Sequence, residues 1–161
     1  MIEFDSPGAF SRHLIRLAAQ GEAVTHQAAD SAAKVVKDAA QVKIGVYQEQ
    51  AGPFNAWAPL ADRTVADRIS KGFSPLEPLL RTGGLRDSIT KTVTGSEATV
   101  GSTSMIALYQ EQGTEHIPPR PFLGPAAFEG KKPIGVAVAM HLIAWVAGVS
   151  WRRPPGTIRL P

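Results

Sequence analysis

The chain has 161 residues, with 17 Lys and Arg against 14 Asp and Glu, and a formal net charge of +3. Hydrophobic residues make up 43% and charged residues 19%, which excludes a disordered chain and leaves a globular one long enough to bury a core. The lack of cysteine in the sequence excludes disulfides, thiolate metal sites and cysteine nucleophiles, and so small a positive excess is no argument for nucleic acid.

The opening "MIEFDSPGAF" has acidic residues and no apolar run, so no signal peptide is expected. Ser6-Pro7 reads as an N-cap with proline in the first turn. It predicts a short helix from Pro7 to about Ala19, with Phe10, Leu14, Ile15 and Leu17 supplying apolar contacts and Gly21 interrupting it. A second, longer helix is predicted over 22–44. Its Val24, Ala28, Ala32, Val35, Ala39 and Val42 are spaced 4, 4, 3, 4, 3, the signature of one helix face. Lys34, Lys37, Asp38 and Lys43 are expected on solvated faces, and Gly45 suits a left-handed cap. The small-residue face packs either on a neighbouring copy or on the chain's own sheet.

"QAGPFNAWAPLADRT" predicts a loop anchored by Phe54, Trp57 and Leu60, with Thr64 capping a helix over 65–71 that Gly72 stops. Gly83 and Gly84 are expected to break any helix there. "DSITKTVTG" alternates, with Ile89, Lys91 and Val93 on one side, and "SEATVGST" is its hairpin partner, the turn falling near Gly95-Ser96. "SMIALYQEQGTE" reads as a short helix ending at Gly113. Four prolines then fall within 118–125 (Pro118, Pro119, Pro121 and Pro125), so a rigid extended arm is expected, with "RPFLGPAA" as an edge strand. A last helix is predicted from Ile134 to about Ala147. The apolar stretch Pro133–Trp151 that contains it is read as a buried or oligomer-facing helix, since it opens with proline and holds His141 near its middle. The expected organisation is one α+β domain over 1–150, a small antiparallel sheet with helices packed on it, followed by an extended, basic, proline-rich tail over 151–161.

No nucleophile-and-base pair, paired carboxylates or metal-ligand spacing stands behind a motif. His116 lies near Glu111 and Glu115, but without regular ligand spacing a solvated loop histidine is the simpler reading; His13, His26 and His141 stand isolated on predicted helices. No catalytic residue, metal or cofactor is therefore expected. Trp151, Arg152, Arg153 and Arg159 interleave arginine with an aromatic, and a DNA-binding accessory protein using this tail is the alternative reading, through non-specific phosphate contact.

The order "WAPLADRT", "PLLRTGGLRDSI", "VGST" and "ALYQEQGTEHIPPRPFLG" resembles the Mu-type virion morphogenesis proteins and related tail-completion or neck proteins of long-tailed bacteriophages. The resemblance covers about residues 55–128. Its most specific part runs from Gln112-Gly113 to Ile117-Pro118-Pro119-Arg120-Pro121-Phe122-Leu123-Gly124. The family commonly has histidine before the glutamine, where this chain reads Tyr109-Gln110-Glu111-Gln112-Gly113. The resemblance implies an α+β virion protein, assembled in the host cytoplasm. It would sit in the neck or at the head-proximal end of the tail as a homo-oligomeric ring, usually of six subunits. Its partners would be head-tail connector or adaptor proteins and tail terminator or tail-tube proteins, with no membrane; non-specific contact with DNA passing the channel is also expected.

A ring subunit needs stiff extensions, because restricting the free chain lowers the ordering cost of docking. The arm Ile117, Pro118, Pro119, Arg120, Pro121, Phe122 and Leu123, together with Trp151, Arg152 and Arg153 of the tail, is therefore the expected interface. Phe122 and Leu123 would supply apolar anchors and Arg120 a bidentate contact to a carboxylate. The alternative is that the arm is a rigid loop packed on its own subunit.

Overall fold

A computed structural model describes residues 3–148. Trp151, Arg152, Arg153 and the expected tail lie outside the described residues. The described residues form six helices and a two-stranded antiparallel sheet: α1 (Pro7–Lys43), α2 (Asp62–Ser70), α3 (Gly84–Asp87), β1 (Ile89–Thr94), β2 (Glu97–Ser102), α4 (Met105–Gln112), α5 (Leu123–Glu129) and α6 (Lys131–Val146). The α+β class and the long N-terminal and C-terminal helices are as the sequence predicts.

Ser6 caps α1 as its residue type requires, its hydroxyl accepting the Ala9 N–H at 3.2 Å. The helix then runs unbroken for 37 residues, about 55 Å at 1.5 Å per residue. The predicted interruption at Gly21 does not occur. A helical glycine costs only about 1 kcal/mol relative to alanine, too little to end a helix that packs along α6. A Cβ at position 21 would lie 3.5 Å from the Trp145 ring, and the Trp145 indole donates to the Leu17 carbonyl at 3.1 Å. Phe10, Leu14 and Ile15, expected to contribute apolar contacts, are exposed.

Further along α1 the buried residues are Ala28, Ala29, Ala33, Ala40 and Lys43, and Val42 points to solvent. The helix is packed by α6, α5 and the sheet, so its buried arc is wider than one stripe and slips by a residue near its end. Lys43 is corrected from the solvated surface to the interior. Its ammonium lies 2.7 Å from the Glu129 carboxylate and 3.1 Å from Gln48 Oε1, which compensates its burial. Gly45 (φ 99°) turns the chain away beyond the cap.

The hairpin has the register Ile89↔Ser102 through Thr94↔Glu97, which leaves Gly95-Ser96 as a two-residue turn with Gly95 at φ 59°. β1 alternates as predicted, with Ile89 fully buried, Lys91 and Val93 half-buried, and the threonines exposed. Lys91 faces α1 and pairs with Asp30, so the inward-pointing charge ties the sheet to the helix. At the open end Ser88 and Ser102 share a hydroxyl hydrogen bond of 2.7 Å, and Ser102 Oγ also accepts the Ser104 N–H. The core gathers Ala40, Ile44, Trp57, Ile89, Ala107, Phe122 and Ala126.

Three local expectations are corrected. Thr64 is not an N-cap, since α2 begins two residues earlier and no side chain caps it. Gly83, at φ 85°, is the N-cap of the single-turn α3, which Gly84 opens instead of preventing. "RPFLGPAA" is no edge strand: from Leu123 it is helix α5. Pro125 lies in the first turn, where no intrahelical N–H is required, and an acidic side chain from elsewhere satisfies the free amides. α6 follows at Gly130, where a Cβ would fall 2.7 Å from the Ala126 carbonyl. Among the described residues no helix is long and apolar enough to cross a membrane.

Candidate interaction surface

The proline-rich arm is held by residues distant in sequence. Trp57, buried in the core, donates its indole N–H to the Pro121 carbonyl at 2.9 Å. Arg120 returns the contact: its Nε and Nη2 donate to the Ala58 carbonyl at 3.2 and 3.0 Å, and Nη2 also to Pro59 O at 2.9 Å. The Arg120 amide donates to Gln110 O on α4. Burial pulls the Arg120 pKa below its ordinary value, against an opposing pull from Tyr47; a guanidinium nevertheless stays charged at neutral pH.

Glu111, at the end of α4, closes the arm from the other side. Its Oε2 accepts the amides of Phe122 (2.9 Å) and Leu123 (3.1 Å), and Oε1 that of Gly124 (2.8 Å). A carboxylate accepting the first N–H groups of a helix is favoured by hydrogen bonding and by the helix dipole alike. Gly124 is small because Phe54 lies over it, and a Cβ there would meet that ring at 2.6 Å. Gly113, at φ 77°, lets the chain double back so that Thr114 and Ile117 pair; a Cβ would stand 2.9 Å from the Ile117 carbonyl.

The knot so formed walls a cleft of about 520 Å³. Pro59 and Leu60 contribute from the tryptophan loop, Thr82 and Leu85 from the segment opening α3, and Ile117 and Pro118 from the arm. Arg68 of α2 is buried at its back, and its Nη1 donates to the carbonyls of Ser74, Glu77 and Leu80 at 2.8–3.1 Å. These bonds hold the loop in which Leu79, also lining the cleft, takes a left-handed φ of 64°, a conformation that costs of order 1–3 kcal/mol in a non-glycine residue. Among the described residues no group of three or more His, Asp or Glu is arranged to hold a metal ion.

The family model described as the phage virion morphogenesis family matches residues 7–142, most of the chain. The chain belongs to that family. No curated protein and no solved structure shows a significant match.

In this virion morphogenesis protein the predicted interface residues divide. Arg120, Pro121 and Phe122 are buried in their own subunit, Phe122 completely. The expectations that Phe122 anchors a neighbour and that Arg120 grips a neighbouring carboxylate are corrected accordingly: the ring fills the core beside Trp57, and the guanidinium binds backbone carbonyls of its own chain. Pro118 and Pro119 are exposed, and Ile117 and Leu123 are half-buried. Arg68, Glu111 and Leu79 were not singled out from the sequence as organisers of the site. Glu111 lies inside the family-like stretch, so its acidic type one residue from Gln112-Gly113 was the available signal; Arg68 on a short polar helix gave none.

Proposed function

We propose that the chain is a structural, non-enzymatic subunit of the phage neck or of the head-proximal end of the tail. It forms a homo-oligomeric ring, six-membered as in the proteins it resembles, that joins the tail to the head connector. Membership of the virion morphogenesis family supports an assembly role. The observation that carries the ring is α6. This helix is apolar on all sides, yet it buries only His141 and Ala144; Val136, Ile143 and Val146 are more than half exposed. An all-round apolar helix is stable in water when other surfaces cover it. A cyclic assembly above two needs two different complementary patches. The second lies on α4, where Met105, Ile106, Leu108 and Tyr109 are all exposed.

The test is the native mass of the purified protein, alone and mixed with isolated tails, together with Ile143→Asp. The reading expects a ring-sized mass, alone or on contact with tails. It also expects Ile143→Asp to leave heads and tails separately assembled but unjoined. A monomer under both conditions, or joined and infectious particles carrying the variant, would overturn it.

A further inference from the structure

The cleft between the tryptophan loop, α2 and the arm has a distinctive chemistry. Arg63, Arg68, Arg81, Arg120 and His116 line it, and no lining residue is acidic among the described residues. Among the described residues the two buried guanidiniums bond only to carbonyl oxygens, and no carboxylate there hydrogen-bonds to either charge. Among the described residues Arg120 Nη1 and Arg68 Nε and Nη2 take no part in these hydrogen bonds. Arg63 is exposed and enters no ion pair among the described residues. Arg81 shares its charge with Asp67 at 3.2 Å and lies over the Phe73 ring. Leu60, Leu79, Leu85, Ile106 and Ile117 give the remaining walls an apolar lining, interrupted by Thr64, Thr82 and Gln110. Gln110, whose Oε1 is buried and has no donor among the described residues, also lines the cleft.

We propose that this cleft is a docking groove for an extended acidic segment of a neighbouring virion protein, one that alternates carboxylates with leucine-like side chains. Charge complementarity selects the sign of the partner, because guanidiniums bind carboxylates through paired N–H donors. The apolar walls select a peptide over a nucleic acid strand. Single strands bind by stacking bases on aromatic rings, and among the described residues no Phe, Tyr or Trp lines this cleft. The proposal rests on the assembly reading only in taking its occupant to be a virion protein; it does not require the ring.

The test uses the full-length protein and three fluorescent probes: a peptide alternating glutamate with leucine, its lysine-leucine counterpart, and a short oligothymidylate. The acidic peptide should bind, and more weakly as salt rises; the basic peptide should not. Arg63→Glu should weaken binding by about tenfold and Arg63→Lys should largely preserve it, with thermal midpoints unchanged. Lack of binding, equal binding of the basic peptide, tighter binding of the oligothymidylate, or indifference to Arg63→Glu would overturn the groove. Light scattering on the same samples separates this outcome from the ring. A monomer that binds the acidic peptide sustains the groove and defeats the ring. A ring that Arg63→Glu breaks, with no peptide bound, means that a second copy occupies the cleft and overturns the proposal.

Discussion

Glu111 and Gly124 are joined by a carboxylate-to-amide hydrogen bond of 2.8 Å, across the turn between α4 and α5. With the Phe122 and Leu123 amides on its other oxygen, this one side chain caps a helix that has no cap of its own. Glu111→Ala should cost about 2 kcal/mol, since hydrogen bonds to a charged group are worth about 1.5–3 kcal/mol and the amides lose their acceptor. The melting temperature should fall by about 4–8 °C. Glu111→Gln, which still offers a carbonyl oxygen, should lose less. Equal melting curves for all three proteins would show that water caps α5 equally well.

Arg120 tests whether geometry or charge holds the arm. Arg120→Lys keeps the charge but cannot reach the Ala58 and Pro59 carbonyls from two nitrogens at once. It should destabilise by about 1–3 kcal/mol in urea unfolding. A lysine variant as stable as the parent would mean that the fork contributes nothing.

Two glycines make a matched pair. Gly113→Ala forces a left-handed alanine and brings its Cβ to 2.9 Å from the Ile117 carbonyl and 3.0 Å from Pro119 N. Both are backbone contacts, so the cost should exceed about 1 kcal/mol. Gly101→Ala, on β2 with open space around it and an ordinary φ, should be neutral or slightly stabilising. Denaturant midpoints for the two variants decide this, and a reversed order would contradict the turn geometry.

His141 couples stability to pH. It is buried, with Nε2 2.8 Å from the Ser31 hydroxyl, and burial lowers its pKa from the ordinary 6.5. The unfolded chain therefore binds this proton first as pH falls. The stability contributed by the neutral imidazole is complete above about pH 6.5 and declines below it, levelling off beneath the lowered native pKa. His141→Gln should lose less stability than the parent between pH 7.5 and 5.5. Parallel losses in thermal melts would place the pH dependence elsewhere.

Where a signal is local, the sequence carried it. Ser6 and Pro7 start α1, Gly45 follows its end, Ser104 and Gly113 bracket α4, and the alternation of β1 marks its buried side. The family-like segments were also legible, as strings of residue types. That they close on one another was not, because the contacts join residues more than sixty positions apart: Trp57 to Pro121 and Arg120 to Ala58. Nothing in a linear pattern of prolines tells whether an arginine and a phenylalanine among them turn inward or outward.

The amino-acid sequence by itself determined the N-cap of α1, the end of α4 at Gly113, the hairpin with its turn and the kinship with virion morphogenesis proteins, since each depends on backbone preferences or on side chains a few residues apart. Only the tertiary structure decided that Gly21 leaves α1 whole, that Pro125 sits inside a helix and that Lys43 and Phe122 are interior. In each case a distant group, the Trp145 indole, the Glu111 or Glu129 carboxylate, or the Trp57 cluster, offsets a local preference of about 1 kcal/mol or supplies burial that no local pattern specifies.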